Sequence, residues 1–265
     1  MSATIKLSVP AAHEFWEIPV LFEDAHLLVL DKPAGLAACP DRLHPEKSDL
    51  MTLLHAAIAA GKPWARERNL TYLNNAHRLD AEASGIFLLA KNKPALIVLA
   101  DLFGSGKPLK QYVALVHGSP GRETFEANAK IAAHPVQPGL QRVDPQDGKK
   151  SRALFTVLER FTNCTLLRCE PLTDRPHQVR VLLSHAGWPV VGDELYGGKK
   201  LWLSRFKKNY RLKPGHEERP LISRPALHVA ELDLPHPVTG ETVALKSELA
   251  KDLRVALKYL REFDK

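Results

Sequence analysis

The run Ile86 to Lys91, IFLLAK, constrains this chain more than any other stretch. Successive side chains of a strand point to opposite faces, so a strand without alternation must be covered on both. That demands a layered domain with a substantial core. The chain has 265 residues, 45% of them hydrophobic, enough for one large domain or two small ones. The same composition excludes a disordered or collagen-like chain. Apolar stretches such as Ala95 to Ala100 fall far short of the ~20 residues a membrane-spanning helix needs. The N-terminus has no continuous apolar segment behind a basic start, so no signal peptide is expected.

Around that run the text divides into elements. VLFEDAHLLVLDKPAG, from Val20 to Gly35, reads as two short strands joined at Glu23-Asp24 and closed by Lys32-Pro33-Ala34-Gly35. Ser48-Asp49 caps a helix with Leu50, Leu53, Leu54, Ala57 and Ile58 on one face, ended by Gly61. Pro94 sits where a helix's first turn tolerates a missing N–H. Later strand candidates are Gln111 to Val116, Leu154 to Glu159, Thr165 to Glu170, Ala226 to Leu232 and Thr242 to Leu245. A helix is expected from about His177 to Ala186. Another is expected behind Ser247, with Leu249, Leu253, Ala256, Leu257 and Leu260 at helical spacing. Strands outnumber helices and do not alternate with them, which predicts an α+β fold with a mixed, largely antiparallel central sheet and flanking helices. Residues 1–19 read as a weakly patterned extension and 20–265 as one domain.

Lys plus Arg number 37 and Asp plus Glu 30, a net charge of +7, which suits a polyanionic partner, nucleic acid first. Cys39, Cys164 and Cys169 are odd in number and form no C-x-x-C pair. Reduced, buried thiols in the cytoplasm are the expectation. The histidines lack the spacing of a metal site, so no metal is expected. Just before the buried run lies Asn75-Ala76-His77-Arg78-Leu79-Asp80-Ala81-Glu82-Ala83-Ser84-Gly85. An acid on a loop at a strand end, flanked by Arg78 and small residues, is well placed to meet a ligand; taken alone it also reads as a turn residue capping its own loop.

HRLDAEASGIFLLAK closely resembles the signature of RluA-type RNA pseudouridine synthases. Four further blocks follow that family's order: LFEDAHLLVLDKPAG, KQYVALVHG (Lys110 to Gly118), LTDRPHQVRVLLSHAGWPVVGDELYGG (Leu172 to Gly198) and PALHVAELDLPHPVTGE (Pro225 to Glu241). Together they span about residues 20 to 260. The resemblance implies the pseudouridine synthase-like fold and an isomerase that detaches uracil from C1′ at N1 and rejoins it through C5. Nothing is oxidised and no group leaves, so no cofactor is expected.

The family places the catalytic carboxylate at Asp80, where it attacks covalently or stabilises the cationic sugar. It points to Arg180 as the guanidinium that keeps Asp80 ionised, and to Tyr112 as the ring that stacks on the extruded uracil and the phenol that moves a proton. Arg78, Arg175, His177 and Gln178 match RNA-contacting positions; His77 either joins them or fixes the loop backbone. Three positions depart from the pattern. Ala83 replaces the usual Thr of H-R-L-D-x-x-T-S-G, removing a hydroxyl that could tie the loop. Asp174 and Pro176 replace the Gly and the small hydroxyl of T-G-R-[ST]-H-Q, and Asp174 sets a negative charge beside Arg175. No S4-type RNA-binding domain is expected before Val20.

A basic stretch offers a grip for RNA: Lys199, Lys200, Arg205, Lys207, Lys208, Arg211, Lys213 and Arg219, against Glu217 and Glu218 alone. Trp202, Phe206 and Tyr210 within it are spaced for one helical face, where they serve either stacking or, more simply, anchoring. A weaker basic loop is Gly148 to Arg152. The reading is a monomeric synthase acting on structured RNA, tRNA or rRNA, with no membrane and no obligatory protein partner. A catalytically idle RNA-binding or ribosome-assembly factor on the same fold is the alternative, and a glycosidic-bond enzyme on free nucleosides is a third.

Overall fold

Ser84 to Ala90 forms a strand in which every residue is buried, as the unbroken apolar run requires. The structure, a computed structural model, describes residues 4–41, 43–212 and 215–264. Its first elements are β1 (Thr4–Val9), β2 (Glu14–Glu23), β3 (Leu27–Lys32), α1 (Leu50–Ala59), α2 (Pro63–Glu67), β4 (Asn74–Asn75), β5 (Ser84–Ala90) and α3 (Lys93–Gly104). Next come β6 (Leu109–His117), β7 (Thr124–Ala133), β8 (Gln141–Val143), β9 (Lys149–Arg160), β10 (Cys164–Pro171) and α4 (Gln178–His185). The chain ends with β11 (Leu227–Pro235), β12 (Thr242–Lys246) and α5 (Lys251–Phe263). The fold is α+β and no helix among the described residues is long and apolar enough to cross a membrane.

The chain divides into two compact units. The first comprises Met1–Lys110 and Val229–Glu248. Its strands run β1-β2-β3-β5-β11, with β12 on β11 and β4 on β5; the β1–β2, β2–β3, β3–β5 and β11–β12 pairs are antiparallel. The stretch read as an extension is a hairpin here: Ile5, Leu7 and Ile18 are core residues, and Thr4 to Val9 pair with Glu14 to Pro19. As expected, Asp49 caps α1, accepting from the Thr52 N–H at 2.9 Å. Asn92 caps α3 in the same way, with Pro94 in its first turn.

The second unit comprises Gln111–His228 and Leu249–Lys265, with antiparallel strand order β6-β10-β9-β7-β8. The helix α4 packs on β7, β8, β9 and β10. Four inner side chains of α5, Leu253, Ala256, Leu257 and Leu260, are buried at the expected helical spacing. Ser247 is not its cap. The helix begins at Lys251, and the Ser247 hydroxyl instead donates to Asp31 Oδ1 at 3.0 Å within the first unit. Trp202, Phe206 and Tyr210 do not share a helical face either. Only the short turn Leu203–Arg205 is helical, and Asn209 at φ +61° breaks the path before Tyr210. All three rings are half-buried, and Lys213 lies outside the described residues.

Candidate active site

In the first unit the segment carrying Asp80 is pinned from three directions. β4 pairs with the end of β5, and the Ala76 N–H donates to the Leu88 carbonyl at 3.1 Å. His77 then takes over the role of a strand partner: its Nε2 accepts the Leu88 N–H at 3.1 Å, while Nδ1 sits 3.1 Å from the Arg78 carbonyl. Since Nε2 accepts, the ring hydrogen belongs on Nδ1, which donates to that carbonyl. The ring is 5% exposed and stacked on Phe103, so neither nitrogen is left for RNA. His77 therefore fixes the loop backbone, the plainer of the two roles its position allowed.

A second clamp comes from Lys32, whose side chain is wholly buried. Its ammonium donates to the carbonyls of Pro33 and Leu36, each at 2.7 Å, and of Ala81 at 3.1 Å. The Gly35 N–H meets the same Ala81 oxygen at 2.9 Å, and the Ala83 N–H closes a turn onto the Asp80 carbonyl at 3.2 Å. Ala83 is 1% exposed. These bonds hold the loop through backbone atoms, so the Thr hydroxyl that Ala83 lacks is not needed to close it. Gly85, at φ +107°, is required for a further reason: a Cβ there would collide with the Val229 backbone. Asp80 itself is half-buried and Arg78 is exposed.

Burial, reinforced by the charge of Lys110, holds the His77 imidazole well below its ordinary pKa. The folded protein thus resists a proton that the unfolded chain accepts near pH 6.5. His77 leaves stability unchanged above that pH and erodes it below, by about 1.4 kcal/mol per pH unit. Urea unfolding of wild type and His77→Gln at pH 7.5, 6.0 and 5.0 should show the wild type losing this extra stability on acidification. Parallel pH curves for the two proteins would contradict a neutral buried ring.

In the second unit, register places Tyr112. It pairs with Cys169, which pairs with Phe155, which pairs with Phe125. Phe125 stacks on Phe155 and meets the edge of Trp188, just beyond α4. Tyr112 therefore lies in the row of side chains on the face that α4 covers, and α4 carries Arg180. Arg180 is not an exposed helix arginine. It is 2% exposed, and its Nε and Nη2 each lie 2.7 Å from a carboxylate oxygen of Asp193, itself 1% exposed. The guanidinium also lies over the Tyr196 ring, 5.0 Å from its centroid.

The start of α4 is held as tightly. His177 adopts φ +53°, a left-handed conformation that is uncommon for a side-chain-bearing residue. Its Nδ1 lies 2.7 Å from the Tyr196 hydroxyl, which also accepts the Gln141 N–H at 3.0 Å. Gln178 does not face solvent for RNA: at 4% exposure, it accepts from the Thr173 hydroxyl at 2.7 Å and donates to the Arg152 carbonyl at 3.0 Å. Asp174 is exposed, and Arg175 is half-buried with Nη1 on the Asp174 carbonyl. Lys207 is half-buried over the Phe263 ring at 4.7 Å, whereas Lys208 is exposed. Burial raises all three thiols, Cys164 to about 12. Among the described residues no three His, Cys, Asp or Glu side chains cluster as metal ligands would.

The model of the RNA pseudouridylate synthase family matches residues 26–185. The chain belongs to that family. It is an RNA pseudouridine synthase, an isomerase of the RluA type. Ribosomal large subunit pseudouridine synthase C of Escherichia coli K12 is 34% identical over 244 residues, covering 91% of this chain and 70% of that protein. Ribosomal large subunit pseudouridine synthase D of Nitrosomonas europaea is 34% identical over 253 residues, covering 94% of this chain and 68% of that one. The solved structure of human RNA pseudouridylate synthase domain containing 4 has the same fold, with a TM-score of 0.67 at 22% identity, over 91% of this chain and 92% of that one. Asp80, Tyr112 and Arg180 of this synthase all fall inside the matched segment; Asp193, Tyr196 and the basic stretch from Lys199 lie beyond it.

Proposed function

We propose that this synthase isomerises uridine in ribosomal RNA, with Asp80 as nucleophile, Arg180 as the cation that keeps it ionised and Tyr112 as the stacking ring and proton carrier. The observation that carries the reading is the preorganised Asp80 loop, fastened through His77, Lys32, Gly35 and Ala83. A carboxylate that attacks a sugar carbon gains most when its backbone cannot drift. The target nucleotide has to leave its stack, at a cost of a few kcal/mol that is smallest in loops. The names of the relatives favour large-subunit rRNA over tRNA. A monomer working in the cytoplasm completes the proposal.

RNA is held by uncompensated cations. Lys130 and Lys150 face each other across β7 and β9, and neither has a carboxylate partner among the described residues. Like charges set opposite each other cost stability, which a phosphate backbone would offset. The exposed Lys208 adds a further contact. In contrast, Arg142 and Arg152 are already paired with Asp144 and Glu126.

The test is to incubate unmodified large-subunit rRNA and unmodified tRNA with the protein and to map pseudouridine by carbodiimide-blocked primer extension. New stops in the rRNA are expected. Stops in tRNA alone would overturn the rRNA assignment, and RNA binding without any stop would favour an idle assembly factor. In the same assay buffer, Lys130→Ala with Lys150→Ala should weaken RNA binding and reduce the slope of log affinity against log salt by about one to two. An unchanged slope would remove the β7–β9 lysine pair from the binding surface.

A further inference from the structure

We propose that Asp193 is a positioning residue for the isomerisation, acting through Arg180. The inference rests on the catalytic role proposed for Arg180 and adds a residue to it. Its basis is the loop Val190 to Gly198, which is built to present one carboxylate. The Asp193 N–H donates to the Val190 carbonyl at 3.1 Å. Its own carbonyl accepts the N–H groups of Tyr196 at 3.0 Å and Gly198 at 2.8 Å. The Gly192 N–H bonds to the Lys199 carbonyl at 2.8 Å, tying the two ends of the loop together. Neither flanking glycine can be replaced without collision. A Cβ on Gly192 would strike the Arg224 carbonyl, and one on Gly198 the Val190 carbonyl. The backbone of Asp193 is therefore fixed before Arg180 is met.

The side chain then meets the guanidinium along a defined edge. Both oxygens are used, one on Nε and one on Nη2, in the planar fork that arginine and carboxylate share. Tyr196, three residues on, lies under the same guanidinium, so the plane is set as well as the edge. The Tyr196 hydroxyl is anchored in turn on His177 and Gln141, and the Ser184 hydroxyl donates to its carbonyl at 2.7 Å. Because the fork engages both Nε and Nη2, it fixes the orientation of the whole planar guanidinium, Nη1 included. A buried arginine needs a counter-ion wherever it sits. A neutralising carboxylate does not by itself need a two-point fork, an aromatic floor and a loop closed by two irreplaceable glycines.

The experiment measures single-turnover pseudouridine formation on unmodified large-subunit rRNA, together with RNA affinity. It uses Asp193→Asn, Asp193→Glu, Arg180→Lys and the double variant Asp193→Asn with Arg180→Lys. Asp193→Glu keeps the buried negative charge and displaces only the fork. Both Asp193 variants are expected to lose about 10- to 100-fold in rate, the scale of a reacting group displaced by about an ångström, with RNA affinity within about threefold of wild type. Adding Asp193→Asn to Arg180→Lys should cost less than about twofold more, because the two residues act as one unit.

A wild-type rate in either Asp193 variant would overturn the proposal. So would a full additional loss in the double variant, or a fall in RNA affinity and thermal midpoint large enough to explain the rate. A wild-type rate in Arg180→Lys together with a slow Asp193→Asn would instead overturn the role given to Arg180, which keeps the two failures apart.

Discussion

Asp80→Asn is expected to abolish pseudouridine formation, lowering the single-turnover rate on the order of 10⁴-fold or more, while RNA affinity stays within about threefold. The amide keeps the shape of the carboxylate and loses its charge and its nucleophilic oxygen. Around it, the loop should stay in place, because its clamps act on main-chain atoms. The Ala81 carbonyl is held by Lys32 and Gly35, the Asp80 carbonyl by Ala83, and the Leu88 N–H by His77. Carbodiimide mapping of rRNA treated with each protein gives the rate, and filter binding gives the affinity. Product from Asp80→Asn at more than a few per cent of the wild-type rate would remove Asp80 from the chemistry. Loss of RNA binding in parallel would mean that the side chain holds substrate instead.

The reason the Asp80 loop was legible in sequence is that its signals are local. A buried strand follows it, a lysine-proline turn precedes it at the end of β3, and a glycine marks the close approach to Val229. The elements that escaped sequence reading have weak hydrophobic contrast. β7, Thr124–Ala133, alternates charged or polar residues with alanines, so its inner face carries little apolar signal; only Phe125 and Ile131 are large. β1 offers just two buried residues, Ile5 and Leu7.

Roles that depend on tertiary contacts were hidden for another reason. Lys32 looks like the polar end of a strand, and nothing in its neighbours tells that a loop 49 residues on supplies one of its acceptors. Asp193 is 13 residues from Arg180, across a helix and a loop, a separation no helical or strand period marks. Gln178 reads as an RNA contact by motif, yet its two hydrogen bonds fasten the helix start to Thr173 and the β9 backbone. The motif marked candidate positions in the chain, but only packing distinguished side chains left open to solvent from those that fasten the backbone.

Tyr112 allows the two functions proposed for one side chain to be separated. Tyr112→Phe keeps the ring and removes the hydroxyl. The ring keeps its place in the row beside Cys169, which is 0% exposed, because the substitution removes only the hydroxyl. The single-turnover rate is expected to fall by about 10²- to 10⁴-fold, the usual worth of a positioned proton carrier, with RNA affinity unchanged. Tyr112→Leu removes the aromatic face as well. Its further loss should appear in binding, on the scale of about 1–3 kcal/mol for one stacked base. If Tyr112→Phe turns over at the wild-type rate, the hydroxyl moves no proton. If Tyr112→Leu binds RNA as tightly as Tyr112→Phe, the extruded uracil does not rest on this ring, and the stacking platform has to be sought elsewhere on the face beneath α4.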